Sequence, residues 1–173
     1  MVGKWARTLV EEMKKRNVTL AVAESLTGGE VSARIVDVPG ASLVLRGAVV
    51  SYATDLKHSL LGVDDGLLAR GGPVQAEVAV QMAQGVTELC GSDYGLATTG
   101  VAGPGDTEDG PAGLVYVAFA GPGVPGGAKA VELQLPGNRE EVRIGAFQGA
   151  LALALKELGV MPEVNLGDNW PSY

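Results

Sequence analysis

Apolar residues recur along this 173-residue chain with two periods, and segments of the two kinds follow one another. Apolar residues three or four positions apart are typical of amphipathic helices, whereas short, continuous apolar runs are typical of buried strands. This pattern predicts helices over residues 4–16, 27–36, 54–61, 75–89 and 138–158. It predicts strands over residues 18–23, 43–51, 94–99, 113–120 and 129–135.

Polar residues at the starts of these helices predict how their first turns are capped. Thr27 and Glu30 have the spacing of a capping box, in which each side chain bonds a backbone N–H group of the other residue. Asn138 and Glu141 repeat that spacing, and Thr54 is the expected cap of the third helix. The apolar residues predicted to face the core are Val78, Met82, Val86 and Leu89 in one helix, and Ile144, Phe147, Leu151 and Leu155 in another.

The order of the elements predicts an α/β fold. A strand, a helix and a strand follow one another over residues 18–51, and this order favours a parallel pair. The last two strands flank the glycine- and proline-rich segment 121–127, which predicts an antiparallel hairpin. We therefore expect one three-layer α/β/α domain over residues 1–160, with a mixed, mainly parallel sheet and a C-terminal antiparallel hairpin. Residues 161–173 lack periodicity and are predicted to form an irregular tail.

Composition and charge exclude several classes of protein. Hydrophobic residues make up 46% of the chain and charged residues 19%, which excludes a disordered protein and a coiled coil. A net charge of −7 with scattered basic residues argues against a nucleic-acid partner. The single cysteine, Cys90, and the single histidine, His58, exclude a disulfide framework and an ordinary zinc centre. The apolar runs are too short to span a membrane and the N-terminus lacks signal-peptide character, so we expect a cytoplasmic protein.

Three loops follow the carboxyl ends of the first three predicted strands, at residues 23–29, 51–57 and 98–105. Ligands of open α/β sheets bind at this edge. The first loop contains Ser25, the second contains Tyr52 and Lys57, and the third is rich in glycine. We expect the three loops to share one pocket.

Each of these residues also has an ordinary structural explanation. A serine before a helix usually caps it, although Thr27 is better placed for that role and leaves Ser25 without one. A lysine on a short surface helix is usually solvated, and a tyrosine at a strand end usually packs. Gly100, Gly103 and Gly105 fit a tight turn as well as a nucleotide-binding loop. Taken singly, these residues indicate no particular chemistry.

Taken together, the three loops resemble those of the CinA C-terminal domain family. The matching segments are residues 23–29, residues 51–52 with Lys57, and residues 99–104. Further matches at residues 39–42, 46–47, 60–63 and 136–139 extend the resemblance over about residues 4–158. The family includes PncC-type enzymes, so the resemblance implies deamidation of nicotinamide mononucleotide to nicotinic acid mononucleotide and ammonia, by a homodimer. We expect the stand-alone form, without the nucleotide pyrophosphatase activity of the N-terminal domain that longer members carry.

The resemblance implies a role for residues of all three loops. It assigns Ser25 as the nucleophile and Lys57 as its general base, with Tyr52 and Thr99 assisting or orienting the pair. Arg139 corresponds to an arginine that contacts the substrate. A serine hydroxyl needs a base to take its proton, and a lysine can serve only when its amine is neutral. The mechanism needs no metal ion and no organic cofactor, because water resolves the acyl-enzyme.

The chemical groups of the implied substrate indicate which further contacts the pocket should make. We expect backbone N–H groups at the start of the second helix to hold the oxyanion formed from the carboxamide. The backbone of the glycine loop and an arginine are expected to hold the phosphate. The residues expected to contact the substrate are Thr27, Gly28, Gly29, Gly100, Gly103 and Arg139.

The glycine loop departs from the family pattern in its second half. The family usually continues with more glycine and a basic residue, whereas this chain has the acidic residues Asp106, Glu108 and Asp109. These carboxylates would disfavour a phosphate in contact with the loop, because like charges repel. Two other functions remain open: a non-catalytic binding protein of competence or damage responses, and an amidase acting on another small molecule.

Overall fold

The computed structural model of the protein describes residues 2–160, and the predicted irregular tail over 161–173 lies outside the described residues. The helices are α1 (Val2–Arg16), α2 (Glu30–Val36), α3 (Thr54–Leu61), α4 (Asp65–Gly71), α5 (Ala76–Cys90) and α6 (Arg139–Glu157). The strands are β1 (Leu20–Glu24), β2 (Leu45–Val50), β3 (Tyr94–Gly100), β4 (Leu114–Ala120) and β5 (Ala128–Gln134). Short 3₁₀ helices lie at Ala41–Leu43 and Pro125–Gly127.

The strands form one sheet in the order β2-β1-β3-β4-β5, which confirms the predicted mixed α/β fold. β1 pairs in parallel with both β2 and β3, so the strands that precede the three candidate loops run in the same direction. β4 pairs antiparallel with β3 and with β5, and the last two strands form the predicted hairpin. The carboxyl ends of β1, β2 and β3 therefore lie along one edge of the sheet.

Helices cover both faces of this sheet and give the predicted three layers. α1, α2 and α6 lie on one face, where Phe119 and Phe147 belong to the same buried apolar cluster. α5 packs on the other face with α3 beside it, and its residues Val78, Met82 and Val86 are fully buried. Burial of each large apolar side chain stabilises the folded state by roughly 1.5–3 kcal/mol, so the two clusters stabilise the packing of helices on both faces of the sheet.

The sequence pattern predicted no helix or strand between α3 and α5. The chain forms the helix α4 there, because the carboxylate of Asp64 accepts the N–H of Leu67 at 2.6 Å and caps the first turn. The sequence signal was the aspartate pair Asp64 and Asp65 shortly before Leu67, and the helix is too short for a periodic pattern to reveal it.

The prediction of Leu89 as a core residue is also wrong, since the residue is 55% exposed. The buried stripe of α5 advances in steps of four residues from Met82 and Val86 to Cys90, whose Sγ lies beside Gly47 of β2. Leu89 lies next to this stripe rather than on it. In α6, the predicted core residue Ile144 is half-buried, whereas its three predicted companions are fully buried.

Of the three predicted helix caps, one forms. Asn138 and Glu141 make the predicted capping box at the start of α6. Thr27 does not cap α2, because its fully buried hydroxyl lies 2.8 Å from Thr98 Oγ1 and bonds there instead. Thr54 is the first residue within α3, which Ala53 precedes without a side-chain cap. At Thr27, a tertiary contact with β3 thus replaces the predicted local cap.

The cap of α2 is the carboxylate of Glu24, which is fully buried at the end of β1. It accepts hydrogen bonds from the backbone N–H groups of Gly29, Val31 and Ser32 at 2.9–3.1 Å, and from the Ser32 hydroxyl at 2.8 Å. Gly29 has a φ of 103°, in the left-handed region that favours glycine. Since hydrogen bonds to a carboxylate are stronger than neutral ones, Glu24 closes the loop between β1 and α2.

Replacement of Glu24 tests this cap. Glu24→Gln keeps the shape of the side chain but places an NH₂ group against backbone N–H donors. We expect the free energy of unfolding to fall by about 1.5–3 kcal/mol, measured by urea unfolding. Glu88→Gln makes the same change at an exposed position of α5 and should alter it by less than about 0.5 kcal/mol. An equally small effect at both positions would contradict the capping role.

Candidate active site

The candidate pocket lies at the edge of the sheet where β1, β2 and β3 end. It has a volume of about 250 Å³ and is lined by residues of all three predicted loops and by the start of α6. The predicted site residues that line it are Ser25, Tyr52, Lys57, Thr99, Gly100, Gly103 and Arg139. Thr27, Gly28 and Gly29 are not part of its lining.

Lys57 and Ser25 are in direct contact in this pocket. The Nζ atom of Lys57 lies 3.0 Å from Ser25 Oγ and donates to the carbonyl oxygen of Ser51 at 2.7 Å. Lys57 is the fourth residue of α3, which starts just after β2, so its side chain reaches the end of β1. Only 1% of Lys57 and 8% of Ser25 is exposed. The lysine is therefore buried, unlike a typical lysine on a surface helix.

Burial changes the acid–base behaviour of this lysine. It lowers the pKa of the Lys57 amine from 10.5 to about 8, because removal from water disfavours the charged form. The negative charge of Asp109 acts in the opposite direction and raises that pKa. With a pKa of about 8, roughly a tenth of the amine is neutral at pH 7. The pocket thus holds a lysine that can accept a proton at ordinary pH.

The backbone of the serine loop is folded onto itself. The Ser25 N–H donates to the Thr98 carbonyl at 3.1 Å, and the Ser25 carbonyl accepts the Gly28 N–H at 3.0 Å. The Gly29 N–H is bonded to the Glu24 carboxylate. The N–H groups of Gly28 and Gly29, which were expected to hold an oxyanion, are therefore already bonded within the protein, one to the Ser25 carbonyl and one to the Glu24 carboxylate.

Leu26 offers a different backbone donor. It lines the pocket directly after Ser25, and its N–H has no hydrogen-bond acceptor among residues 2–160. A donor in this position lies one residue from the serine hydroxyl along the chain. The Thr27 N–H is also without an acceptor among these residues, but Thr27 does not line the pocket.

Tyr52 and Thr99 line the pocket, but within residues 2–160 neither hydroxyl bonds to the serine–lysine pair. Thr99 Oγ1 donates to the carbonyl oxygen of Pro73 at 2.9 Å. The Tyr52 hydroxyl accepts a hydrogen bond from Arg139 at 2.9 Å, and Arg139 also donates to the Gly103 carbonyl at 2.7 Å. Tyr52 therefore orients the arginine, and Thr99 joins the end of β3 to the loop before α5.

The glycines of the third loop act through the backbone. A Cβ at Gly100 would lie 2.6 Å from the Leu114 carbonyl oxygen, so glycine allows the close approach of β3 and β4. Gly103 has a φ of 78°, and its carbonyl is the one that holds Arg139. Both glycines line the pocket.

Of the three acidic residues that follow, Asp109 lines the pocket and the other two do not. Asp106 accepts a backbone N–H of its own loop at 3.0 Å, and Glu108 is exposed. Reciprocal backbone hydrogen bonds between Thr107 and Gly110 form the tight turn that carries Asp109. The acidic segment therefore contributes one carboxylate to the pocket rather than three.

The charged side chains that line the pocket are Lys57, Asp109 and Arg139. Across residues 2–160, no three His, Cys, Asp or Glu side chains come close enough together to hold a metal ion. None of the helices in that range has the length and apolar character needed to cross a membrane.

Two residues that hold the site were not predicted from the sequence. Glu24 caps α2, and Arg143 of α6 donates to the carbonyl oxygens of Leu26 and Thr27 at 3.1 and 2.9 Å. The signal for Glu24 was a carboxylate at the end of an otherwise apolar strand. Arg143 has no local signal, since its partners lie 117 and 116 residues away along the chain.

Sequence comparison places the chain among known proteins. Residues 3–158 match the family described as the CinA C-terminal domain. A CinA-like protein of Frankia casuarinae is 48% identical over 160 residues, covering 91% of this chain and 36% of that protein. A CinA-like protein of Gloeobacter violaceus is 47% identical over 158 residues, covering 86% of this chain and 36% of that protein. The chain thus spans about a third of the length of these curated relatives.

Solved structures give the same result. The competence/damage inducible protein CihA from Agrobacterium tumefaciens superimposes with a TM-score of 0.85 at 28% identity, covering 90% of this chain and 94% of that one. A CinA superfamily protein from Klebsiella pneumoniae superimposes with a TM-score of 0.86 at 26% identity, covering 92% and 98%. With its sequence matched over residues 3–158 and its fold shared with these structures, the chain belongs to the CinA C-terminal domain family.

Proposed function

We propose that the protein is an amidohydrolase that converts nicotinamide mononucleotide to nicotinic acid mononucleotide and ammonia. The observation that carries this proposal is the 3.0 Å contact between Ser25 Oγ and the buried amine of Lys57. The pocket of about 250 Å³ suits a small molecule rather than a macromolecule. The proposed reaction uses neither a metal ion nor an organic cofactor.

Lys57 is the general base in this proposal. A neutral amine has two N–H groups and one lone pair, and the Ser51 carbonyl accepts one of the N–H groups at 2.7 Å. This bond fixes Nζ beside Ser25, where the lone pair can take the hydroxyl proton. The lowered pKa of about 8 supports the role, because a general base works best when its pKa is near the working pH.

The proposed chemistry proceeds through an acyl-enzyme. Ser25 Oγ attacks the carboxamide carbon while its proton passes to Lys57 Nζ, and a tetrahedral intermediate forms. The intermediate collapses with cleavage of the C–N bond, and the proton on Lys57 moves to the departing nitrogen, which leaves as ammonia. Water then attacks the ester carbon and gives one proton to Lys57 Nζ. Lys57 passes that proton to Ser25 Oγ as the ester C–O bond breaks, which releases the carboxylic acid and restores the serine hydroxyl and the neutral amine. The sum is one amide and one water converted to one acid and one ammonia.

The oxyanion requires a preorganised donor, for which we propose the N–H of Leu26. This N–H follows the nucleophile directly and is free of acceptors in the described part of the chain. It replaces the N–H groups of Gly28 and Gly29, which are bonded within the loop. One such donor contributes about 2.7–4 kcal/mol to the stabilisation of the transition state.

Arg139 is the proposed contact for the substrate phosphate. A guanidinium has five N–H donors, and the bonds to Gly103 and Tyr52 use two of them. These two bonds hold the side chain at the pocket rim with its remaining donors and its charge available to an anion. Gly103 supports the arginine through its carbonyl oxygen, and Gly100 and Gly103 line the same pocket as proposed substrate contacts.

Removal of either member of the pair tests the mechanism. Ser25→Ala and Lys57→Met should each lower ammonia release from nicotinamide mononucleotide by about a thousandfold or more, because the two groups act as one unit. Ser59→Ala and Lys129→Met change exposed residues of the same types and should leave the rate unchanged. Full turnover by Ser25→Ala would rule out Ser25 as the nucleophile. Absence of release by the wild type would favour a binding protein, and release from another amide alone would favour a different substrate.

The pH dependence of the reaction follows from Lys57. The active form is the neutral amine, which becomes predominant above its pKa of about 8. We therefore expect kcat/KM to rise about tenfold per pH unit below 8 and to level off above it. A rate measured from pH 6 to 10 in buffers of constant ionic strength checks this. A profile that falls through pH 8 would require the charged amine instead and would rule out Lys57 as the base.

A further inference from the structure

The pocket has opposite charges at two different places. Arg139 lies at the rim, fixed by its bonds to Tyr52 and Gly103. Asp109 lies in the turn after the glycine loop, lines the same pocket as Ser25, and is half-buried. When Lys57 is neutral, these two residues are the remaining charges of the lining. The pocket is then complementary to a ligand with one cationic part and one anionic part.

The position of Asp109 is fixed by its surroundings. Its own N–H donates to Thr107 Oγ1 at 3.2 Å, within the turn closed by the backbone bonds of Thr107 and Gly110. Its carboxylate lies against Gly72, where a Cβ atom would collide with Oδ1. Gly72 precedes Pro73, which lines the pocket, and has a φ of 72°. Glycine at this position therefore leaves room for the carboxylate at the pocket wall.

The carboxylate has no partner of its own within the described chain. No N–H or O–H group of residues 2–160 donates to it, and no lysine or arginine there forms an ion pair with it. A half-buried carboxylate without a donor gains from a cation that enters the pocket. Asp106, by contrast, is bonded within the loop. Asp106 thus stabilises the loop, whereas Asp109 supplies a negative charge to the pocket.

We propose that Asp109 is the counter-ion of the positively charged ring of the substrate, so that the site selects N-substituted pyridinium carboxamides over neutral aromatic amides. This inference rests on the proposed function and names the substrate class of that same site. The ring binds between Asp109 and Ser25, and the phosphate binds at Arg139. A zwitterionic nucleotide is thereby oriented with its carboxamide toward Ser25 Oγ.

The counter-ion also links binding to activation of the base. Asp109 raises the pKa of Lys57, and so favours its charged form in the empty pocket. A cationic ring beside Asp109 offsets that negative charge and disfavours a second cation at Lys57. Ligand binding therefore shifts Lys57 toward the neutral form that accepts the proton of Ser25. A neutral amide would lack this contribution from the ring charge.

Binding to an inactive protein tests the inference. In a Ser25→Ala background at pH 9, where Lys57 is mostly neutral, titration calorimetry compares nicotinamide mononucleotide with its 1,4-dihydropyridine form. The second ligand keeps the carboxamide, ribose and phosphate and lacks the ring charge. Adding Asp109→Asn should raise the Kd of nicotinamide mononucleotide, whose ring is cationic, by about tenfold or more. It should raise the Kd of the 1,4-dihydropyridine form, whose ring is uncharged, by less than about twofold.

Glu108→Gln is the matched control, because it removes the same charge from an exposed neighbour outside the pocket. It should leave both Kd values within about twofold of the parent. An equal loss for both ligands in Asp109→Asn would show a structural role and overturn the inference, as would no loss for either. A cationic-selective loss in Glu108→Gln of the same size would also overturn it.

Failure of the two proposals gives different results. Ammonia release by the wild type without charge-selective binding would remove the counter-ion and leave the proposed reaction standing. Charge-selective binding without ammonia release would keep the counter-ion and remove the reaction. If nicotinamide mononucleotide does not bind at all, both proposals fall.

Discussion

The amine of Lys57 is held out of water by two hydrogen bonds, one to the Ser51 carbonyl and one to Ser25 Oγ, and the rest of the site depends on that burial. A fall in its pKa from 10.5 to about 8 corresponds to about 3 kcal/mol against the charged form. The fold must offset this cost elsewhere, and the apolar clusters on the two faces of the sheet do so. A lysine left in solvent by α3 would keep its ordinary pKa and would rarely be neutral at pH 7.

The serine that faces this amine is held by residues that take no part in the proposed chemistry. Glu24 fixes the start of α2 from the end of β1, and Arg143 holds the carbonyl side of the same loop. Gly28 and Gly29, with φ values of 60° and 103°, let the chain turn tightly enough for these bonds to form. Preorganisation of a nucleophile requires such support, because an error of about 1 Å in its position weakens catalysis strongly.

The charges of the pocket belong to separate structural units. Arg139 comes from the first turn of α6, which its capping box fixes, whereas Asp109 comes from a turn closed by its own backbone bonds. Neither charged side chain is hydrogen-bonded to Ser25 or Lys57 within the described residues.

The sequence by itself determined the order of the elements, the parallel start and antiparallel end of the sheet, and the grouping of three loops at one edge. It did so because apolar periodicity and chain order are local properties that survive without knowledge of the packing. It also indicated Ser25, Lys57 and Arg139, through a joint pattern rather than through any single residue. The predicted cap at Thr27 was wrong because its hydroxyl bonds to Thr98, a partner 71 residues away along the chain.

Only the tertiary structure decided which polar groups were already engaged. The bonds of Gly28 and Gly29, the link between Tyr52 and Arg139, and the difference between Asp106 and Asp109 all depend on distances that spacing along the chain does not fix. A buried polar group bonds the nearest suitable partner in space, and that partner can come from any part of the chain. The burial of Lys57 belongs to the same class, because a lysine loses its water only when the surrounding elements have closed over it.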